Sequence, residues 1–190
     1  MARSPFRFAP LSPENFADLE DLFGPKGACG GCWCMTWRLP KKSYDAGKAE
    51  GNHARLRALV DGGEPAGVLA YEGDRAAGWI SVAPREQFDY LRRSRTLQPP
   101  DDLPVWSVTC FYIRKEHRRR GLATALLGAA EEYVRERGGK RIEGYPSLPR
   151  SAELPAVFAW TGLPAIFESR GFTECPSQGR SRKLMRKHLR

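Results

Sequence analysis

Residues 105–123, VWSVTCFYIRKEHRRRGLA, decide how this chain folds. They read as an apolar strand, a basic turn and a glycine that opens a helix. The helix continues over 122–137 as LATALLGAAEEYVRER. Its apolar positions Leu122, Leu126, Leu127, Ala130 and Val134 recur at helical spacing. The first amides of a helix have no internal acceptors, and the helix dipole places partial positive charge there. Small residues at Gly121 and Ala123 let a ligand approach the backbone, and Arg118, Arg119 and Arg120 add positive charge around it. A strand-to-helix turn of this composition suits a diphosphate.

The pattern Arg118-x-x-Gly121-x-Ala123 resembles motif A of the GNAT superfamily, the N-acetyltransferases that use acetyl-CoA. The family pattern is Gln/Arg-x-x-Gly-x-Gly/Ala at a helix start after a long strand. A second stretch, residues 166–172 (IFESRGF), is similar to the family's closing helix and its Gly-Phe exit into a late strand. The two stretches cover roughly the C-terminal half, and the first half matches in its order of helices and strands. The resemblance implies a mixed α/β fold in one domain over residues 1–190. That fold has a central, mostly antiparallel sheet with a splayed strand pair and helices on both faces. It also implies acetyl-CoA as acyl donor, held at Arg118, Arg119, Arg120, Gly121, Leu122, Ala123 and Thr124. Its pantetheine would lie along the main chain of Phe111, Tyr112 and Ile113. Many members carry a tyrosine on the closing helix that protonates the leaving thiolate. The matching position here is Phe167, which cannot donate a proton and is read as packing against pantetheine. Tyr145, at the end of the strand after the motif helix, becomes the candidate acid, with Tyr112 and Cys110 as weaker candidates.

Composition is consistent with one globular domain. The chain has 190 residues and no apolar run approaching a membrane span. Its N-terminal residues have no continuous apolar core of a secretory signal. Five cysteines, an odd number, argue against a complete disulfide framework and for a reducing cytoplasm. The net charge of +9 invites a nucleic-acid partner. Its distribution points elsewhere. Residues 114–120 hold five basic side chains and one acidic, and residues 180–190 hold six basic and none acidic. The first cluster coincides with the diphosphate site, and the second suits the outer face of a terminal strand.

Along the rest of the chain, Phe6–Ala9 predicts a first strand. Ser12-Pro13-Glu14 marks a helix start, and that helix runs to about Phe23 before Gly24-Pro25. A Gly- and Cys-rich loop follows over 27–37, then one helical region over 45–60. Val68–Tyr71 and Ala76–Val82 alternate as a hairpin. Residues 85–95 suggest a short amphipathic helix. Arg141–Tyr145 is a strand, 146–155 a loop, and Leu163–Arg170 the last helix. Phe172–Cys175 and Arg182–His188 pair as a terminal hairpin.

The acceptor amine arrives as an ammonium and must lose a proton before attack, so a general base is expected. Glu72, Asp101, Asp102 and Glu143 are the candidates. Cys29, Cys32 and Cys34 stand at CxxCxC spacing, and His53 would complete a zinc set. A structural zinc site usually carries two separated ligand pairs, and no second pair is visible, so the loop is read as free of metal. The same loop gathers Trp33, Met35, Trp37 and Arg38. Trp33, Trp37 and Arg38, with Trp79, Trp106 and Trp160, are taken as the acceptor wall; each tryptophan could equally belong to the core. The expected activity is acetyl transfer from acetyl-CoA to a small-molecule or protein amine by direct attack in a ternary complex. A homodimer is compatible with the sequence, and a membrane partner is not expected. A catalytically inactive acyl-CoA sensor and a basic nucleic-acid-binding protein remain as alternatives.

Overall fold

The computed structural model describes residues 5–148, 160–177, 179 and 181–190. The segments are β1 (Phe6–Pro10), α1 (Phe16–Phe23), α2 (Lys41–Ala46), α3 (Glu50–Asp61), β2 (Gly67–Glu72), β3 (Arg75–Pro84) and α4 (Asp89–Arg93). After these come β4 (Trp106–Ile113), α5 (Leu122–Glu136), β5 (Arg141–Gly144), α6 (Pro164–Glu168), β6 (Thr173–Cys175) and β7 (Leu184–His188). The seven strands form one sheet in the order β1-β2-β3-β4-β5-β7-β6. Only β4 and β5 run parallel. A parallel pair needs a crossover, and α5 supplies it.

The sheet is buried on both faces, which explains why β2 and β3 are apolar at nearly every position. Val68, Ala70, Ile80 and Val82 point toward α5 and meet Leu122, Leu126, Leu127, Ala130 and Val134. Leu69, Tyr71 and Trp79 point the other way, against Phe16, Leu19, Leu22 and Phe23 of α1 and Leu56 and Val60 of α3. Entry to α1 is fixed by a capping box: the Ser12 amide donates to Asn15 Oδ1 at 2.9 Å.

The helix predicted over 45–60 is two helices. The chain breaks at Gly47–Ala49, where Ala49 has φ +64. The Ala49 amide donates to the Gly31 carbonyl at 3.2 Å, and the buried Asn52 amide reaches the same carbonyl. The cysteine loop is therefore docked against the break, a tertiary contact that local periodicity does not report.

The feature that positions the site lies in β4. It pairs with β5 only at Trp106, Ser107 and Val108. Against β3, Ser81 faces Cys110 while Val82 faces Val108, so Thr109 is an extra residue on the β4 side. Such a bulge bends the strand and increases its twist. From Thr109 onward β4 stays with β3 and leaves β5, and the sheet opens between them.

Candidate active site

The gap beside β4 and the start of α5 form one continuous feature. Strand alternation turns the Phe111 and Ile113 main-chain groups away from β3 and toward the gap. The Phe111 amide donates to the Trp160 carbonyl at 2.7 Å, and Arg114, one step out of phase, donates to Ala77 of β3 at 3.0 Å. Arg118 Nε donates to the Ile113 carbonyl at 3.1 Å, which places its guanidinium at the mouth of the gap. The turn that follows is built from left-handed residues, Arg119 at φ +60 and Gly121 at φ +76. A side chain at 121 would meet nothing within 4 Å, so glycine is required there by the backbone angle, and the space above it is open. The α5 helix then begins at Leu122, with its first amides facing outward.

A cavity of about 660 Å³ occupies the gap. Its β4 wall is Thr109, Cys110, Phe111, Tyr112 and Ile113, and Arg118 and Ala123 line the motif end. Opposite stand Cys29, Cys32, Cys34, Thr36, Trp37 and Tyr44, while Trp160, Gly162, Leu163 and Ile166 close the third side. The thiols of Cys32, Cys34 and Cys110 are neighbours: Trp79 Nε1 donates to Cys34 Sγ at 3.2 Å, while Cys32 donates to the Gly27 carbonyl at 3.6 Å and Cys110 to the Phe111 carbonyl at 3.8 Å. The neighbouring Cys34 thiol, then burial, pushes the Cys32 thiol up. The neighbouring Cys110 thiol, then burial, does the same for Cys34. Both are neutral thiols at neutral pH. His53 is held elsewhere, by Glu20 at 2.7 Å and by the Trp33 ring at 4.5 Å. Among the described residues, no group of three His, Cys, Asp or Glu side chains is arranged to hold a metal.

A family model described as the acetyltransferase (GNAT) family matches residues 33–152. The chain belongs to the GNAT acetyltransferase family. No curated relative matches it. Among solved structures it is similar to yncA of Salmonella typhimurium, determined with its cofactor acetyl-CoA. That likeness has 15% identity and a TM-score of 0.55, over 98% of this chain and 95% of the other. It is also similar to the paiA N-acetyltransferase of Thermoplasma acidophilum in complex with coenzyme A, at 14% identity, TM-score 0.55 and 99% of each chain. A third is the ribosomal-protein-S5-alanine acetyltransferase of Vibrio fischeri, at 12% identity and TM-score 0.57, covering 100% of this chain and 96% of that one.

Within this GNAT fold the expected site residues separate into two groups. Phe111, Tyr112, Ile113, Arg118, Ala123, Trp37 and Trp160 all line the cavity. Arg119 is exposed beside Gly121, and Leu122 contributes only its amide because its side chain packs in the core. Thr124 shares that first helical turn. Arg120 departs from expectation: its guanidinium pairs with both oxygens of Glu72, and His117 joins them at 3.0 Å.

The structure does not bring Tyr145 to the cavity. It is fully buried behind Trp37, ring to ring at 5.5 Å. Its hydroxyl is bound by Arg85 Nη1 at 2.6 Å, Ser107 Oγ at 2.8 Å and Glu143 Oε2 at 2.8 Å. Burial, reinforced by the Glu143 carboxylate, pushes its pKa well above the usual tyrosine value. A group so placed is a structural donor and not the acid. Phe167 is likewise in the core, edge-on to Phe111 at 6.1 Å and to Phe172 at 5.2 Å, while its neighbour Ile166 takes the cavity wall. Of the two tyrosines expected as acids, Tyr112 is on the cavity wall; Tyr44, not among those candidates, also lines it.

Four further residues of the expected acceptor wall lie elsewhere. Trp79 is buried against α1. Trp106 packs on Tyr133 at 6.0 Å, at the β4 end remote from the motif. Trp33 lines a separate hollow with Glu20, Asp21 and His53. Arg38 donates to Gln87 and to the Pro65 carbonyl, each at 2.9 Å, and burial lowers its pKa to about 10. It ties the loop to the sheet.

None of the candidate bases with a described partner faces the cavity. Glu143 is bound by Arg85 and Arg186, Glu72 by Arg120 and His117, and Asp101 by Arg186. Asp102 lies in the exposed loop before β4. Cavity residues that sequence reading missed are Thr109 and Tyr44. The signal for Thr109 is a strand-register shift, which no local pattern carries.

Proposed function

We propose that this protein moves an acetyl group from acetyl-CoA to an amine by direct attack within a ternary complex. The observation that carries the reading is the open start of α5 running directly into the gap of β4. The family's known donor matches that layout, and the acetyl-CoA and coenzyme A complexes of yncA and paiA support it. Acetyl-CoA would supply an activated thioester carbonyl. The amides of Leu122, Ala123 and Thr124 would hold its diphosphate, with Arg118 and Arg119 supplying charge. Arg118, already on the Ile113 carbonyl, would also fix the mouth of the gap. The Ile113 amide, facing the gap, is suited to the negative charge that develops on the carbonyl oxygen. The Tyr112 hydroxyl would protonate the departing thiolate, with solvent as the alternative source. We place the activity in one domain in a reducing compartment, the cytoplasm, where five unpaired cysteines are stable.

Thiol release from acetyl-CoA across an amine panel tests this reading. Release that depends on an amine is expected. Tight acetyl-CoA binding without turnover on any amine would make the protein a sensor instead. Salt-sensitive DNA binding without acetyl-CoA binding would make it a nucleic-acid protein.

A further inference from the structure

The wall of the cavity opposite β4 is held in a shape its own sequence does not favour. Among the described residues, the non-glycine residues with positive φ are Ala28, Trp33, Cys34, Ala49 and Arg119. Arg119 belongs to the diphosphate turn. The other four lie in the cysteine loop or where that loop docks, and Ala28 and Cys34 line the cavity. Such residues persist only where surrounding contacts over-determine them. Beyond Trp37 the loop is tied by Arg38, which donates to Gln87 and to the Pro65 carbonyl. At Gly31 the clamp is Asn52 of α3. Asn52 is fully buried, and its side-chain amide donates to the Gly31 carbonyl at 3.2 Å and to the Tyr44 carbonyl at 3.3 Å. Gly31 stands between Cys29 and Cys32, and Tyr44 is the residue of α2 that lines the cavity. One side chain therefore joins the two segments that bring Cys29, Cys32 and Tyr44 to the wall. Its orientation is fixed as well. Asn52 Oδ1 accepts from Arg55 Nη1 at 3.4 Å, and a guanidinium can only donate, so the amide nitrogen must face the two carbonyls. The same Arg55 nitrogen donates to the Ser43 carbonyl at 2.7 Å, one residue before Tyr44.

We infer that Asn52 is a positioning residue for the acceptor amine, acting through the wall of the cysteine loop and α2. This rests on the acetyltransferase reading above, in which β4 and the start of α5 take acetyl-CoA and the opposite wall meets the amine. Asparagine is suited to the task because its amide carries two donors for two carbonyls on separate segments; aspartate offers none and alanine none. Without the clamp the Gly31 carbonyl keeps only the Ala49 amide, and the Tyr44 carbonyl loses the Asn52 donor. The loop is then free to leave the positive φ angles at Ala28 and Cys34, and the wall they shape is lost. The donor groups, on β4 and α5, stay in place.

The test uses the full chain and measures acetyl-CoA affinity by calorimetry, and thiol release with benzylamine, aniline, spermidine and a peptide with a free N-terminal alanine. Asn52→Ala should raise KM for the best of these amines at least about tenfold, with kcat within about threefold and the acetyl-CoA Kd within about twofold. Arg55 is exposed, so Arg55→Ala folds even where Asn52→Ala does not. It should raise the same KM about threefold and add nothing to Asn52→Ala when the two are combined. A lower Tm with an unchanged amine KM in Asn52→Ala would make the clamp purely structural and overturn the inference. Should that variant not fold, an unchanged amine KM in Arg55→Ala would overturn it. A matching loss of acetyl-CoA affinity would overturn it too, because the effect would not be confined to the acceptor side. Acetyl-CoA binding by the wild type with thiol release on none of the amines would instead overturn the acetyltransferase reading itself.

Discussion

Replacing Tyr145 by Phe separates a structural tyrosine from a catalytic one. The hydroxyl serves three buried partners, Arg85, Ser107 and Glu143, at 2.6, 2.8 and 2.8 Å. The carboxylate of Glu143 keeps Arg85 at 3.1 Å and Arg186 at 2.7 Å, so the substitution does not strand a charge. It removes hydrogen bonds to charged groups in a dry interior and leaves the Arg85 and Ser107 groups one partner short. A loss of about 2 kcal/mol is expected. For a chain of this length that lowers Tm by about 4–8 °C. The assay pairs urea and thermal unfolding with kcat on an accepted amine at a temperature where both proteins are folded. Stability should fall while kcat stays within about threefold. A fall in kcat of about 10²-fold with an unchanged Tm would refute the reasoning and make Tyr145 the acid.

Two other outcomes follow from the core and the neighbouring thiols. Phe167→Ala should cost about 3–5 kcal/mol in unfolding, since its ring fills the space beside Gly144 and between Phe111 and Phe172; the thermal shift given by acetyl-CoA should persist in the folded variant. Alkaline pH should destabilise the protein. Cys32, Cys34 and Tyr145 have folded pKa values raised above their ordinary ones, so their contribution is complete below about pH 9, the ordinary thiol value, and is lost as pH rises beyond it. Tm measured from about pH 7 to 10.5 should decline from near 9, and less steeply in Cys34→Ser; a flat profile would contradict the assignment.

How far the sequence reached depended on whether the determining contacts were local. The strand, basic turn and helix over 105–137 were legible because the apolar period and Gly121 are local signals for local structure. The helix start at Ser12 and the β2–β3 hairpin were legible for the same reason. Within the site, the motif and the β4 backbone followed from that segment; of the six acceptor-wall candidates, Trp37 and Trp160 line the cavity. Side chains that serve core and site equally well were not separable. Tyr145, Phe167 and Trp79 are large, apolar-bodied residues whose burial is set by strands and helices distant in sequence. The break at Ala49 and the bulge at Thr109 arise from pairing with Gly31 and with β3, respectively. Cys110 meets Cys34 only because β4 passes behind the cysteine loop.

The central claim is that the start of α5 binds the diphosphate of acetyl-CoA. Calorimetric titration of acetyl-CoA into the wild type and into Gly121→Glu tests it most directly. The new side chain has open space around it and costs the fold only the strain of a left-handed residue, about 1–2 kcal/mol. Its carboxylate would stand where the diphosphate is held. The account predicts binding by the wild type, with about 2.7 kcal/mol of added stability when the ligand is near 100 times its Kd. It predicts a loss of affinity of at least about 10²-fold in the folded variant. Equal affinity in the two proteins would contradict it.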